Sequence, residues 1–187
     1  MAELKDYSGE YIPNMSWDLF SKEVLVKVIE AYAKLYLMID GLWNTELSQR
    51  HSRDEGFDIE EVIWKKLAVL EPREMTRILN IQGTDIVAFV KMMQVMASFH
   101  PSWYKQKIEV KDKNRAVLTV IDCPQLRYFE RHGDVHGMKR SCQEIEYECW
   151  STYAQFMNPK TKTKALKLPP RESPGEIACQ WEFWIED

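Results

Sequence analysis

Four cysteines, at positions 123, 142, 149 and 179, come nearest to chemistry by type and spacing in this 187-residue chain. None belongs to a Cys-x-x-Cys pair, so the commonest zinc-site spacing is missing. Cys123 precedes Pro124 at an expected strand-to-helix turn. Free amides at a helix N-terminus lower a thiol pKa there, which makes Cys123 the candidate nucleophile. Cys142 falls near the start of the next helix, and Cys179 shares a strand face with Trp181 and Phe183. If Cys123, Cys142 and Cys179 converge between sheet and helix, they form a soft ligand set suited to zinc or an iron–sulfur cluster. Cys142, Glu146 and Cys149 also fall on one helix face, a second ligand row allowed by spacing. Against all of these stands the ordinary use of free cysteine, which packs as a small hydrophobe.

Asp40 lies three residues before Trp43 on an otherwise apolar helix. A carboxylate there can bind a ligand, act in catalysis, hydrogen-bond an indole N–H or simply face water. Among the arginines, Arg171 follows Pro169 and Pro170, whose stiffness lowers the cost of ordering it, and guanidinium reads carboxylates bidentately. Trp43, Trp64, Arg171 and Trp181 are therefore the expected contacts for an apolar or aromatic carboxylate. His132 and His136 flank Gly133 and suit a metal or a base, but solvated loop histidines are the commoner case.

These residues must be held by a definite set of elements. Residues 1–15 contain Gly9 and Pro13 and read as an extended arm. Residues 16–100 read as a helical segment. Ser16 is the expected cap of a helix running to about residue 47, with Leu25, Val28, Tyr32, Leu35, Tyr36 and Ile39 as its apolar stripe. Gly41 lies within that helix and would allow a neighbour to approach. Asp58 and Glu61 suggest a capping box for a second helix with Ile59, Val62, Ile63 and Leu67 inward. Pro72 suggests a third helix, and Asp85 stands at the start of a fourth that runs to Phe99.

From residue 101 the apolar period becomes two. Ile108 and Val110, a turn at 112–114, and the alternation over 116–121 describe a hairpin. A short helix from Cys123 to Gly133 and a longer one over 138–157 follow. Strands over 162–168 and 177–185 flank a proline-rich loop. The segment 101–187 is thus hairpin, two helices, hairpin. The fold class is α+β, with an N-terminal helical segment before a four-stranded antiparallel sheet covered by helices, in one compact domain.

The motifs Asp40-Gly41-Leu42-Trp43, Val62-Ile63-Trp64, Cys123-Pro124, Pro169-Pro170-Arg171 and Cys179-x-Trp181-x-Phe183 stand in an order that resembles an uncharacterised prokaryotic family. More distantly, the layout is similar to 4-vinyl-reductase domains and to the L-2-amino-thiazoline-4-carboxylate hydrolase family. That resemblance implies a small-ligand fold. The hydrolase branch would open a cyclic C–N bond with water, with Cys123 or Asp40 taking part. A gap in the pattern is Gly175-Glu176, where the wider group carries Gly-Asp before its last strand.

Composition narrows the partners. Hydrophobic residues make up 45% of the chain, enough for a core, and the net charge of −4 with no basic stripe argues against nucleic acid. Lys34 and Lys91 interrupt the apolar stretches, so none reaches the roughly 18 residues of a membrane span. The polar start argues against a secretory signal and for a cytoplasmic protein. The expectations are a small-molecule ligand, with a hydrolase or a cysteine-based metal or redox module as alternatives, and a homodimer through helix faces by fold analogy.

Overall fold

The computed structural model describes residues 3–186. Of the arm expected over 1–15, the first two residues lie outside that range. The remainder is extended and pinned beside the start of the helices: the Leu4 N–H donates to the Leu19 carbonyl at 2.8 Å, and the Ser21 N–H to that of Leu4 at 2.9 Å. Ser16 leads only a three-residue turn, Trp17–Leu19. The long helix α1 (Lys22–Arg50) is capped instead by Ser21, whose side chain accepts from the Val24 N–H.

Helix α2 (Arg53–Ile78) begins six residues earlier than the Asp58–Glu61 pair suggested, because Ser52 accepts from the Glu55 N–H and supplies the cap. It also runs through Pro72 without a break, so the second and third expected helices are one. Its buried face holds Phe57, Glu60, Ala68 and Glu71, while Val62 and Ile63 point outward. The face was misjudged because two glutamates belong to it. α1 and α2 form an antiparallel hairpin with a tight crossing at Gly56. A Cβ there would meet Ser48 Oγ at 2.5 Å, whereas one at Gly41 would meet nothing within 4 Å. The close approach expected at Gly41 thus belongs to Gly56.

Asp85 caps α3 (Ile86–Met93), which is buried at Ile86, Ala88, Phe89, Val90, Met92 and Met93 and stops short of Phe99. β1 (Lys105–Asp112) and β2 (Arg115–Asp122) pair antiparallel, as do β2 and β4 (Cys179–Ile185) and β4 and β3 (Thr161–Lys167). The sheet order is β1-β2-β4-β3, which places the last strand in the interior of the sheet, between β2 and β3. Trp181, Phe183, Leu118 and Ala116 are fully buried on the face that meets the helices.

Between the hairpins lie α4 (Pro124–His132), ended by Gly133 at φ 60°, a left-handed position that suits glycine, and α5 (Val135–Met138). A π-helical segment, Lys139–Ile145, then joins α6 (Glu146–Met157). The helix expected over 138–157 is therefore continuous but widened in its first two turns. The widening turns Ser141, Cys142 and Ile145 inward. α6 packs against both β3 and α2. Among the described residues, no helix is long and apolar enough to cross a membrane.

Candidate functional site

A cavity of about 1340 Å³ lies between α1, α2, the head of α4, the π segment and the ends of β2 and β4. α1 contributes Leu37, Asp40, Gly41, Asn44 and Ser48, which recur at three- and four-residue spacing on one face. α2 adds Phe57, Glu60 and Trp64, also one helix face. Met96, Phe99, Tyr104 and Trp150 supply apolar and aromatic wall. Tyr104 and Phe99 pack with ring centroids 5.1 Å apart, and Phe99 meets Trp150 edge-on at 5.0 Å.

Three carboxyl groups converge on this space. The Trp64 indole N–H donates to Asp40 Oδ1 at 3.0 Å, which ties α1 to α2 across the wall. The Asn44 amide donates to Glu60 Oε2. The Trp150 side chain is the hydrogen-bond partner of Glu146. Burial pushes Asp40 up to about 6, against the lowering effect of the Trp64 bond. It pushes Glu60 up to about 8, with the Asp40 charge adding to it and the Asn44 bond opposing. It pushes Glu146 up to about 7, the Trp150 bond opposing. Repulsion between neighbouring carboxylates acts in the same direction as burial, so the set tends to keep protons near neutral pH.

All four cysteines stand at the cavity, and burial sets the state of their thiols. Cys123, Cys142 and Cys179, together with Cys149, all line the cavity. Burial pushes the Cys123 thiol up to about 12, although its side chain accepts from the Leu126 N–H at the start of α4. Loss of solvation thus outweighs the helix N-terminus, opposite to what an activated nucleophile needs. Burial also raises Cys142 and Cys179, with Glu146 and the neighbouring thiols adding to it. Among the described residues, no group of three or more His, Cys, Asp or Glu is disposed to hold a metal ion. The three expected ligand thiols share one wall of the cavity.

The four expected ligand contacts separate. Trp64 lines the cavity. Trp43 lies on the outer side of α1 and is 61% exposed. Trp181 is fully buried in the sheet core, its indole N–H donating to Cys179 Sγ at 3.3 Å. Arg171 is engaged elsewhere: it binds both carboxylate oxygens of Glu130 at 2.7 Å, and the Pro174 and Glu176 carbonyls at 3.1 Å. It anchors the loop before β4 to α4. His136 pairs with Asp54 at 2.8 Å and His132 with the Tyr128 carbonyl, both at the cavity rim.

Glu60, Asn44 and Tyr104 were not singled out from the sequence. For Glu60 a signal existed, since Phe57, Glu60, Trp64, Ala68 and Glu71 stand three or four residues apart and place two acids on an apolar face. A model of a family of unknown function, DUF6125, matches residues 18–185, nearly the whole chain. No curated protein and no solved structure matches.

Proposed function

The chain belongs to DUF6125, and within that family we propose that it is a small-molecule-binding protein whose ligand occupies the cavity between the α1–α2 hairpin and the sheet. The observation that carries this reading is the juxtaposition of aromatic walls with three inward carboxyl groups, a few polar anchors in an apolar pocket. The distant similarity of the layout to 4-vinyl-reductase domains would imply such a pocket. A carboxylate ligand suits its buried part poorly, because Arg171 is committed to Glu130, the buried carboxyl groups there are acids, and the lining cations Lys34, Arg53 and Arg131 stand at its exposed rim. An apolar or aromatic ligand bearing an amine, an amidine or another strong donor suits Asp40, Glu60 and Glu146.

Gly41 gives a direct test. It lines the cavity, and a Cβ there meets nothing within 4 Å, so a large side chain can enter the space without disturbing the helix. A naphthylamine-type fluorophore should brighten and saturate with the wild-type protein and fail to do so with Gly41→Trp, while circular dichroism stays unchanged. Equal binding by the two would remove the cavity as the site.

A second reading, hydrolytic opening of a thiazoline ring, is favoured by one observation. Asp40 near 6 and Glu146 near 7 share one cavity and could donate and accept protons close to neutral pH. Cys123 is then a wall residue and not a nucleophile. Water would add to the ring carbon between nitrogen and sulfur and the ring C–S bond would break to free the thiol. Release of N-carbamoyl-cysteine from the thiazoline carboxylate, lost in Asp40→Asn, would be its signature, and no release by the wild type removes it.

A further inference from the structure

α1 is 29 residues long, yet Ala33 is its one buried residue. The face that carries Leu37, Gly41, Asn44 and Ser48 looks into the cavity. The outward face carries Ile29, Tyr32, Leu35, Ile39, Leu42 and Trp43, each between 54% and 63% exposed, with Leu42 at its edge also reaching the cavity. Six large side chains so exposed leave roughly 600 Å² of apolar surface, taking 150–250 Å² per large side chain. Ile63 and Leu70 of the neighbouring α2 are also exposed, at 47% and 52%. Together they reach about the 800 Å² that one partner brings to a standard interface. That is above the roughly 300–600 Å² of the largest patch on a typical monomer.

The spacing of the seam identifies what covers it. Leu25, Val28, Tyr32, Leu35, Ile39 and Leu42 recur at intervals of 3, 4, 3, 4 and 3, the repeat that lets one helix pack along another. The charges of α1 balance, with Lys22, Lys27, Lys34 and Arg50 against Glu23, Glu30, Asp40 and Glu46. An anionic lipid surface would call for an excess of basic residues, so the face does not suit a membrane. We propose that this face is covered by the same face of a second copy, so that two α1–α2 hairpins pack about a two-fold axis into a four-helix layer. The pairing also bears on the site. Met38 and Leu42 are exposed and at the same time line the cavity, so a second copy on α1 would cover the outer side of that wall.

This inference does not depend on the binding reading, because it is read on the unliganded protein. Sedimentation of the full chain should give about twice the 22.2 kDa chain mass at micromolar concentration. Leu35→Glu and, separately, Ile39→Glu should each weaken the dimer at least 100-fold. Neither residue lines the cavity, so fluorophore binding should survive in the resulting monomer. Wild-type protein that stays at the chain mass up to 100 µM overturns the proposal, whether or not it adsorbs to anionic vesicles. A wild-type dimer that both variants leave intact, with unchanged circular dichroism, places the interface elsewhere and overturns it equally. If one variant fails to fold, the wild-type mass and the other variant still decide.

Discussion

Glu60 is 6% exposed and accepts a hydrogen bond from Asn44, while Asp40 and Glu146 act on the same cavity. Its carboxyl titrates near 8 when folded, against an ordinary value of 4.5. The protonated form is therefore favoured by folding. The sign follows from linkage: the stabilisation is complete below pH 4.5 and is lost as pH rises through about 8. Asp40 and Glu146, raised to about 6 and about 7, act the same way in a lower part of that window. Wild-type stability should fall by several kcal/mol between pH 5 and pH 8, roughly 3 kcal/mol of it from Glu60 alone. Glu60→Gln keeps an acceptor for Asn44 and should flatten that fall. Denaturant midpoints across the window check this; a wild-type stability that rises with pH, or a slope unchanged in the variant, contradicts it.

At the scale of the elements, the most informative buried group outside the cavity lining is Glu71 on α2. It accepts from the Ser98 N–H at 3.0 Å, the Ser98 hydroxyl at 2.6 Å and the Tyr153 hydroxyl at 3.0 Å. One carboxylate thus holds α2 to α6 and to the segment ahead of β1. Glu71→Ala strands three donors in a buried site and should cost roughly 2–4 kcal/mol, read from the shift in urea midpoint. A loss under 0.5 kcal/mol would show that water replaces the carboxylate without penalty.

Elements of this kind were legible to different degrees. The hairpin at 105–122 was plain, because its period of two and its Asp-Lys-Asn turn agree. Cys123-Pro124 and Gly133 marked α4 at both ends. The apolar seam of α1 was also plain, but periodicity shows that a face is apolar and not whether the fold covers it. Leu35 and Ile39 were read as packing residues and are exposed. Helix starts at Ser21 and Ser52 were missed because Ser16 and Asp58 carry equally good capping chemistry a few residues away.

Across the whole molecule, α2, α3, α6 and the sheet form the dense core, and α1 lies on α2 with the cavity between α1, α2 and the ends of β2 and β4. The presence of Asp40, Trp64 and the cysteines at that cavity was legible as a list of candidates. Their partners were not. Arg171 could not be seen to close on Glu130, forty-one positions away, nor Trp181 to vanish into the sheet. Pairings of that range depend on the assembled fold, which single-sequence spacing does not encode.

If the cavity takes an apolar ligand through a donor group facing Asp40, Glu60 and Glu146, it should prefer an amine to the matching acid. Calorimetric titration at pH 7 with a matched pair, naphthylethylamine and naphthylacetate, tests it most directly. The amine should bind saturably at 1:1, at least tenfold tighter than the acid, with the preference lost in an Asp40→Asn, Glu146→Gln double variant. Equal affinity for both ligands, or a preference for the acid, would contradict it.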